Sequence, residues 1–290
     1  MVSFKSLAVS MFGWIADKYG QNFSVIREAL PKADIRIAFR TYISISFFVT
    51  MMAGILSIAV LTVFLQILNI PLILKIALFV FVPLLTCFGT GVFLLLYPYQ
   101  RANSRRKNIN TNLPFVLTHM GAIAESGVPP YVIFRLIGEF EEYGEVSKEM
   151  KKIVQNIENF GLNPLRAVKE VAERSPSEAF KQALMGFVTT TESGGDVKLY
   201  LKNAGQQALF EWRIKRERFL QQLSAYAEFY TGILIAAPLF IIALFAVMSM
   251  ISSEMAGYDI LFLTKLSVYL LIPALNLGFL LFLRGMEVEM

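Results

Sequence analysis

Cysteine and histidine are almost absent from this chain, which has one residue of each type among 290. The single cysteine, Cys87, cannot form an internal disulfide or a multi-cysteine zinc site. The single histidine, His119, has no second histidine or cysteine with which to share a metal ion, so we interpret it as a satisfied, packed side chain. The phosphate-binding patterns G-x-x-x-x-G-K-[ST] and G-x-G-x-x-G are also missing. We therefore predict no catalytic residue, no cofactor and no metal, and we expect that the chain is not an enzyme.

Charged residues are scarce as well. They make up 17% of the chain, whereas hydrophobic residues make up 56%, and soluble domains usually have about a quarter of their residues charged. Most of the charge lies in one central stretch, which indicates a membrane protein with a soluble insert. The net charge of +5 mostly reflects the excess of lysine and arginine in cytoplasmic loops, so nucleic acid is not an expected partner.

Four apolar runs are each long enough to cross a bilayer, since about 20 apolar residues are needed. They lie at residues 43–68, 72–97, 230–251 and 260–283. The connections within the first pair and within the second pair are short, so each pair is predicted to form a helical hairpin. No Asp, Glu, Arg or His lies near the centre of any run, which disfavours an ion-coupled transporter. Pro83, Pro238 and Pro273 interrupt the runs and are expected to kink them.

The distribution of lysine and arginine predicts the orientation. The two short hairpin loops contain neither residue, so both termini and residues 98–228 are predicted to be cytoplasmic in a multi-pass protein of the cell membrane. Residues 3–20 are predicted to form an amphipathic helix that lies on the membrane or on the protein's own domain. The predicted domains are a cytoplasmic amphipathic segment at 1–42, a transmembrane hairpin at 43–97, a cytoplasmic helical bundle at 98–228, a second hairpin at 229–284 and a cytoplasmic tail at 285–290.

The central segment has the breaks expected of six helices and no alternating strand pattern. The predicted fold class is therefore an all-α membrane protein with four transmembrane helices and one cytoplasmic six-helix bundle. The first helix of the bundle is predicted to begin near Leu113, with Pro114 in its first turn. The sixth is predicted to run without a break from Asp196 through the third span to Ile251.

Several local patterns predict helix ends in this segment. Asn163 is predicted to cap the fourth helix, and Ser175 with Glu178 to form a capping box at the start of the fifth. Gly127 and Gly194 follow helices at positions where a left-handed residue is expected. An acidic run is interpreted as a solvated helix end, and it consists of Glu139, Glu141, Glu142 and Glu145.

Two basic clusters flank the central segment at its predicted junctions with the membrane. They contain Arg101, Arg105, Arg106 and Lys107 at the first junction, and Arg213, Lys215, Arg216 and Arg218 at the second. Such clusters bind anionic lipid headgroups or an acidic partner protein, and they also arise from the positive-inside rule alone. We expect both clusters to lie near the same membrane-proximal ring and to contact an ATPase partner or lipid.

Three motifs punctuate the central segment. The first runs from Leu113-Pro114-Phe115 to Glu125-Ser126-Gly127-Val128-Pro129, the second is Gly161-Leu162-Asn163-Pro164, and the third is Glu192-Ser193-Gly194-Gly195-Asp196. Together with Tyr97-Pro98-Tyr99 and the basic residues that follow it, these motifs resemble the type II secretion system protein F superfamily. This superfamily comprises the platform proteins of type II secretion systems, type IV pili, Tad pili and archaella, and the chain looks closest to archaeal members.

The resemblance implies a mechanical role. In such machines a cytoplasmic hexameric ATPase moves the platform, which helps to insert pilin subunits into the filament or extract them from the membrane. The implied partners are a hexameric secretion or pilus ATPase, pilin or archaellin-like subunits and membrane lipids, and the resemblance is also compatible with a homodimer. Bacterial pilus members have two such domains in tandem, whereas this chain has one.

Two other classes of function stay open at this point. One is a small-molecule membrane transporter, which uptake into membrane vesicles would reveal. The other is a membrane enzyme that uses the interfacial carboxylates Glu125 and Glu192, which would require an activity that depends on a divalent metal or a substrate.

Overall fold

The computed structural model describes residues 9–14, 24–35, 37–67, 71–251, 254–255 and 257–285. The described chain is almost entirely helical, and four of its helices are long and apolar enough to cross a membrane. Their number and order agree with the prediction. The internal contacts divide the chain into two compact units, Met1–Gln206 and Gln207–Met290.

The helices of the first unit are α1 (Ser24–Lys32), α2 (Phe39–Ile67), α3 (Leu72–Glu125), α4 (Pro130–Glu139), α5 (Glu145–Glu158), α6 (Pro164–Arg174) and α7 (Glu178–Glu192), with a 3-10 turn at Glu141–Tyr143. Residues 9–14 are also helical, and the rest of the amphipathic helix predicted at 3–20 lies outside the described residues. Helix α8 (Val197–Phe229) begins in the first unit and ends in the second. The second unit continues with a π-helical segment (Tyr230–Ala236), α9 (Ala237–Ile251), β1 (Glu254–Met255), β2 (Tyr258–Asp259), α10 (Ile260–Leu266), a second π-helical segment (Ser267–Leu271) and α11 (Ile272–Gly285).

Helix α3 is a single helix of 54 residues, which corrects the prediction of a separate helix that begins near Leu113. Pro98 and Pro114 both lie inside it. A proline inside a helix has no N–H, so the carbonyl four residues earlier loses its donor. At Pro98 that carbonyl belongs to Leu94, and the hydroxyl of Tyr42 on α2 donates to it over 2.7 Å. A side chain from the neighbouring helix thus supports the unbroken helix at Pro98.

Helices α2 and α3 pack as the predicted first hairpin. The hydroxyl of Thr86 donates to that of Ser57 over 3.1 Å, and a Cβ added at Gly54 would lie 2.5 Å from the sulfur of Cys87. Small and hydroxyl-bearing residues let membrane helices approach closely and bond across their interface. The lone cysteine therefore fills space in a close helix contact.

The core of the central domain is built on the C-terminal half of α3. This half packs against α4, α5 and α7, while α5 contacts α6 and α6 contacts α7. The rings of Phe134 and Phe187 join α4 to α7 with their centroids 5.2 Å apart and nearly perpendicular planes. Other buried apolar side chains in this core are Ile109, Val116 and Met120 of α3, Ile133 and Ile137 of α4, Met150 and Ile153 of α5, Val168 of α6, Leu184 of α7 and Leu201 of α8.

Side-chain caps start α6 and α7. The Asn163 side chain accepts a hydrogen bond from the amide of Leu165 over 2.9 Å, as predicted. At α7 the N-cap is Ser177, whose hydroxyl oxygen accepts a hydrogen bond from the Phe180 amide over 3.2 Å. The predicted capping box of Ser175 with Glu178 is therefore wrong, because the N-cap lies two residues after Ser175. The Ser175 hydroxyl instead accepts from the amide of Ser177, and this serine pair shapes the turn before α7.

Both π-helical segments of the second unit end two residues before a proline that was predicted to interrupt its span. The Ala237 amide donates to the Gly232 carbonyl and the Ile272 amide to the Ser267 carbonyl, five residues back in each case. The proline ring clashes with the carbonyl four residues earlier in a regular α-helix, and the wider π turn relieves that crowding before Pro238 and Pro273.

The connection between the third and fourth spans contains a two-residue antiparallel pair, in which Glu254 opposes Asp259 and Met255 opposes Tyr258. Gly257 has a φ of 84°, as a tight turn between such strands requires. The side chain of Asp259 accepts from the Leu261 amide over 3.0 Å and caps α10. The sequence pattern had predicted only a short connection here.

Candidate functional site

The three motif glycines that end helices adopt the left-handed conformation. Gly127, Gly161 and Gly194 have φ values of 78°, 62° and 69°, which a side chain with a Cβ adopts only at a cost. Ser126 and Ser193 are the C-cap residues before two of these glycines, and Pro129 precedes α4 as its N-cap. The amide of Gly195 donates to the Thr190 carbonyl over 2.8 Å. In this structure the motifs therefore shape helix ends.

The carboxylate of Glu125, at the end of α3, forms a salt bridge with Lys202 of α8 at 2.7 Å. The hydrogen bond from Lys202 lowers the pKa of Glu125, and the same hydrogen bond raises the pKa of Lys202. A general acid needs a raised pKa near the working pH, so this environment is unlike that of a catalytic acid. The other carboxylate considered, Glu192, is the exposed last residue of α7.

Two glycines let α3 and α8 cross at close range beside this salt bridge. A Cβ at Gly205 would lie 2.8 Å from the Thr118 Cα and 2.9 Å from the Leu117 carbonyl oxygen. A Cβ at Gly121 would lie 3.1 Å from the Lys202 Cα. Because the obstructing atoms belong to the backbone, no side-chain rotation relieves such contacts. The first turns of α8 are therefore fixed against the C-terminal end of α3.

A buried charge network lies at the other end of the central domain and centres on Arg105 of α3. The Nε atom of Arg105 is 2.6 Å from a carboxylate oxygen of Glu145, and Nη2 contacts Glu149. Its third nitrogen, Nη1, donates to the backbone carbonyl of Lys32 at the end of α1 over 2.6 Å. Lys152 extends the network, with its Nζ atom 3.0 Å from Glu149 and 2.8 Å from Asp34. We call these five residues, Asp34, Arg105, Glu145, Glu149 and Lys152, the Arg105 network.

The electrostatics of the Arg105 network favour its charged state. Burial lowers the pKa of Arg105, but the hydrogen bond with Glu145 and the nearby carboxylates outweigh burial and raise it overall. Burial raises the pKa of Glu145, while hydrogen bonds from Lys148 and Arg105 outweigh that effect and lower it. Arg105 uses its planar fork to bond two carboxylates and a carbonyl at once, which a lysine cannot do.

The structure corrects two expectations about charged residues. Arg105 was grouped with exposed partner-binding residues, but it is only 6% exposed and already bonded, so it is not available to an ATPase or to lipid. Glu145 was assigned to a solvated acidic run, but its side chain is only 19% exposed because it pairs with Arg105. The burial of these residues was missed because their partners lie 40 or more positions apart in the chain.

The remaining basic residues of the two clusters are exposed. In the first unit these are Arg101, Arg106 and Lys107, and in the second unit Arg213, Lys215, Arg216 and Arg218. Arg101 donates to the Tyr97 hydroxyl over 3.1 Å. Exposure does not test contact with an ATPase or lipid, so for these seven residues the contact stays a prediction.

A groove of about 560 Å³ opens beside the Arg105 network. Its walls include Pro31 and Ile35 before α2, Asn156 of α5, and Phe160, which is 74% exposed. Its charged floor, which includes Arg105 and Glu149, is engaged in ion pairs. Among the described residues, no group of three or more His, Cys, Asp or Glu is arranged to hold a metal ion. His119 lies 3.0 Å from the hydroxyl of Tyr143, in agreement with a packed, satisfied ring.

Comparison with known proteins finds a family model that matches part of the chain. Residues 116–245 match the family model described as Type II secretion system (T2SS), protein F. The matched range includes the left-handed turns at Gly127, Gly161 and Gly194, and it also includes the crossing of α3 with α8 at Gly205.

Three curated relatives come from methanogenic archaea. An uncharacterized protein of Methanocaldococcus jannaschii is 24% identical over 188 residues, which are 64% of this chain and 32% of the relative. The flagella accessory protein J of the same organism is 24% identical over 174 residues, and that of Methanococcus voltae is 23% identical over 175 residues. Each of the latter matches covers 60% of this chain and 30% of the relative, so the chain spans about a third of the length of these relatives. No solved structure matches the chain significantly.

Proposed function

From the match of residues 116–245 to the type II secretion system protein F family model, we propose that the chain is a membrane platform protein of a type IV filament or type II secretion-like assembly machine. In this proposal it catalyses no reaction and instead couples a cytoplasmic hexameric ATPase to pilin insertion or extraction. Both termini and residues 98–228 lie on the cytoplasmic side. Two relatives are named flagella accessory protein J, which supports an archaellum-like or pilus-like filament.

The observation that carries the proposal is the continuity of α3. Its 54 residues extend over roughly 80 Å at about 1.5 Å per residue. The apolar N-terminal half forms a candidate membrane span, and the C-terminal half supplies Ile109, Val116 and Met120 to the domain core. Because the helix is unbroken, a partner that displaces the domain also displaces the span. This is the mechanical property that a platform protein requires.

The exposed basic residues at the two junctions are the proposed ATPase contacts. They are Arg101, Arg106 and Lys107 in the first unit and Arg213, Lys215, Arg216 and Arg218 in the second. Several such charges steer an acidic partner and hold it through contacts that salt weakens. Anionic lipid headgroups compete for the same residues. Binding of the ATPase should survive removal of the bilayer, whereas binding of lipid should not.

The proposal is tested by deletion and complementation in the source organism. Loss of the chain should abolish filament assembly or secretion, while the ATPase and the pilin subunits are still produced and pilin accumulates in the membrane. Re-expression of the intact chain should restore the filament. Filaments at normal abundance in the deletion strain would contradict the platform role. A small molecule taken up by vesicles only when they contain the chain would instead support a transporter.

A further inference from the structure

We infer that the Arg105 network is an intramolecular brace that makes α1 a fixed structural link between the first membrane hairpin and the central domain. The inference concerns the conformation of the first unit and stands independently of the proposed function. The segment before the first span would otherwise be an ordinary cytoplasmic tail, since α1 has only nine residues and so short a helix is marginal in isolation.

One side of α1 is attached to the hairpin by apolar contacts. Ile26 and Leu30 are buried together with Ile43 of α2. Leu95 of α3 and Phe47 of α2 pack against this cluster. Ile43 and Phe47 lie near the N-terminal end of α2, and Leu95 lies near the end of the apolar part of α3, so the apolar face of α1 is held by the membrane part of the unit.

The C-terminal end of α1 is attached to the domain by polar contacts. Arg105 donates to the last carbonyl of α1, that of Lys32, while its other nitrogens bond Glu145 and Glu149 of α5. Two residues beyond α1, Asp34 adopts a left-handed φ of 57° and bonds Lys152 of α5 over 2.8 Å. The unusual backbone at Asp34 is therefore held by an ion pair across to the domain.

The chemistry of the contact favours a permanent brace over a switch. Removing one partner from a buried ion pair leaves an uncompensated charge out of water, which is strongly unfavourable. Arg105 is 6% and Glu149 3% exposed, so opening the brace would leave Arg105 buried without a carboxylate, or expose it to water, and would leave Glu149 with Lys152 alone in the described part of the chain. The brace is thus expected to stay closed, and α1, α5 and the end of the hairpin that contacts α1 are expected to behave as one rigid body.

Hydrogen exchange on the intact protein in detergent or nanodiscs tests the inference. The test variant is Arg105→Met. The matched control is Arg106→Met, which changes the neighbouring exposed residue. In the wild type, the amides of α1 should exchange as slowly as those of α5. Arg105→Met should accelerate exchange in α1 by at least roughly tenfold, equivalent to about 1.4 kcal/mol at 25 °C, and Arg106→Met should leave it unchanged. Rapid exchange of α1 in the wild type, or equal effects of the two variants, would overturn the brace.

A double variant separates the brace from general stability. In Arg105→Met, Glu149 keeps Lys152 as its only cationic partner among the described residues, and adding Glu149→Gln removes the buried carboxylate charge that Arg105 no longer balances, so part of the melting temperature lost in the single variant should return. The donor to the Lys32 carbonyl is still missing, so α1 should remain poorly protected. If protection of α1 returns together with the melting temperature, the apolar contacts alone hold α1 and the inference fails.

Discussion

At the scale of single residues, the three glycine-containing motifs of the central segment are explained by backbone conformation. Gly127, Gly161 and Gly194 each end a helix with positive φ, and the polar residues beside them cap helices or pair on the surface. Nothing in these motifs brings a nucleophile, a base and an oxyanion site together, which is what a catalytic motif would do. The motifs are therefore better understood as requirements of the fold than as requirements of a reaction.

Gly194→Val should destabilise the intact protein by about 1–2 kcal/mol, the cost of a left-handed residue with a Cβ. A Cβ at this position meets nothing within 4 Å, so the loss is expected from the backbone alone. Thermal unfolding measures it, and the exposed neighbour provides the control Ser193→Ala, which should change stability little. An unchanged melting temperature for Gly194→Val would mean that the glycine is needed for a contact with a partner and not for the turn.

The salt bridge of Glu145 should make stability sensitive to acid. The folded-state pKa of Glu145 is lowered from its ordinary value of 4.5, so its contribution to stability is present above that value and is lost as the pH falls through the folded-state pKa. The expected window therefore lies below about pH 4.5. Melting temperatures measured across this range should fall less steeply for Glu145→Gln than for the wild type. Parallel profiles would show that this carboxylate is not engaged as described.

At the scale of secondary structure, the crossing of α3 with α8 depends on glycine. Gly205→Ala should destabilise the protein by about 1–3 kcal/mol, the usual cost of overpacking, because its Cβ would lie under 3 Å from the backbone of Thr118. The exposed position two residues earlier on the same helix provides the control, Asn203→Ala, which should be close to neutral. Chemical or thermal unfolding distinguishes the two. A neutral Gly205→Ala would indicate that the two helices separate easily, contrary to the fixed crossing.

Local sequence patterns predicted those helix ends whose causes are local. The turn at Gly194 and the cap at Asn163 each depend on residues within a few positions of one another. The unbroken α3 was not predictable in this way, since the donor that supports Pro98 comes from Tyr42, 52 positions from the carbonyl that it bonds. The burial of Arg105 likewise depends on residues 40 and 44 positions away. What the sequence could not show are the pairings that tertiary structure creates.

At the scale of the whole molecule, the account requires a definite orientation in the membrane. The excess of lysine and arginine predicts that the central domain is cytoplasmic and that the hairpin loops face outward. With the native cysteine replaced through Cys87→Ala, an impermeant thiol reagent applied to intact cells should label Ser253→Cys in the second loop and should not label Glu141→Cys. The latter position is 91% exposed in its side chain, so lack of labelling cannot reflect burial. Labelling of Glu141→Cys from outside would reverse the topology.

The direct test of the platform role is association with the ATPase of the same organism's filament or secretion machine. The intact protein in detergent, where lipid is depleted, should retain the ATPase at low salt and release it as salt rises. The double variant Arg213→Glu with Arg216→Glu should abolish this retention. The control double variant, Arg166→Glu with Lys169→Glu, reverses two charges with the same spacing on an exposed face of α6, and it should retain the ATPase. Failure of the wild-type protein to retain the ATPase under any salt condition, with the domain folded, would contradict the account.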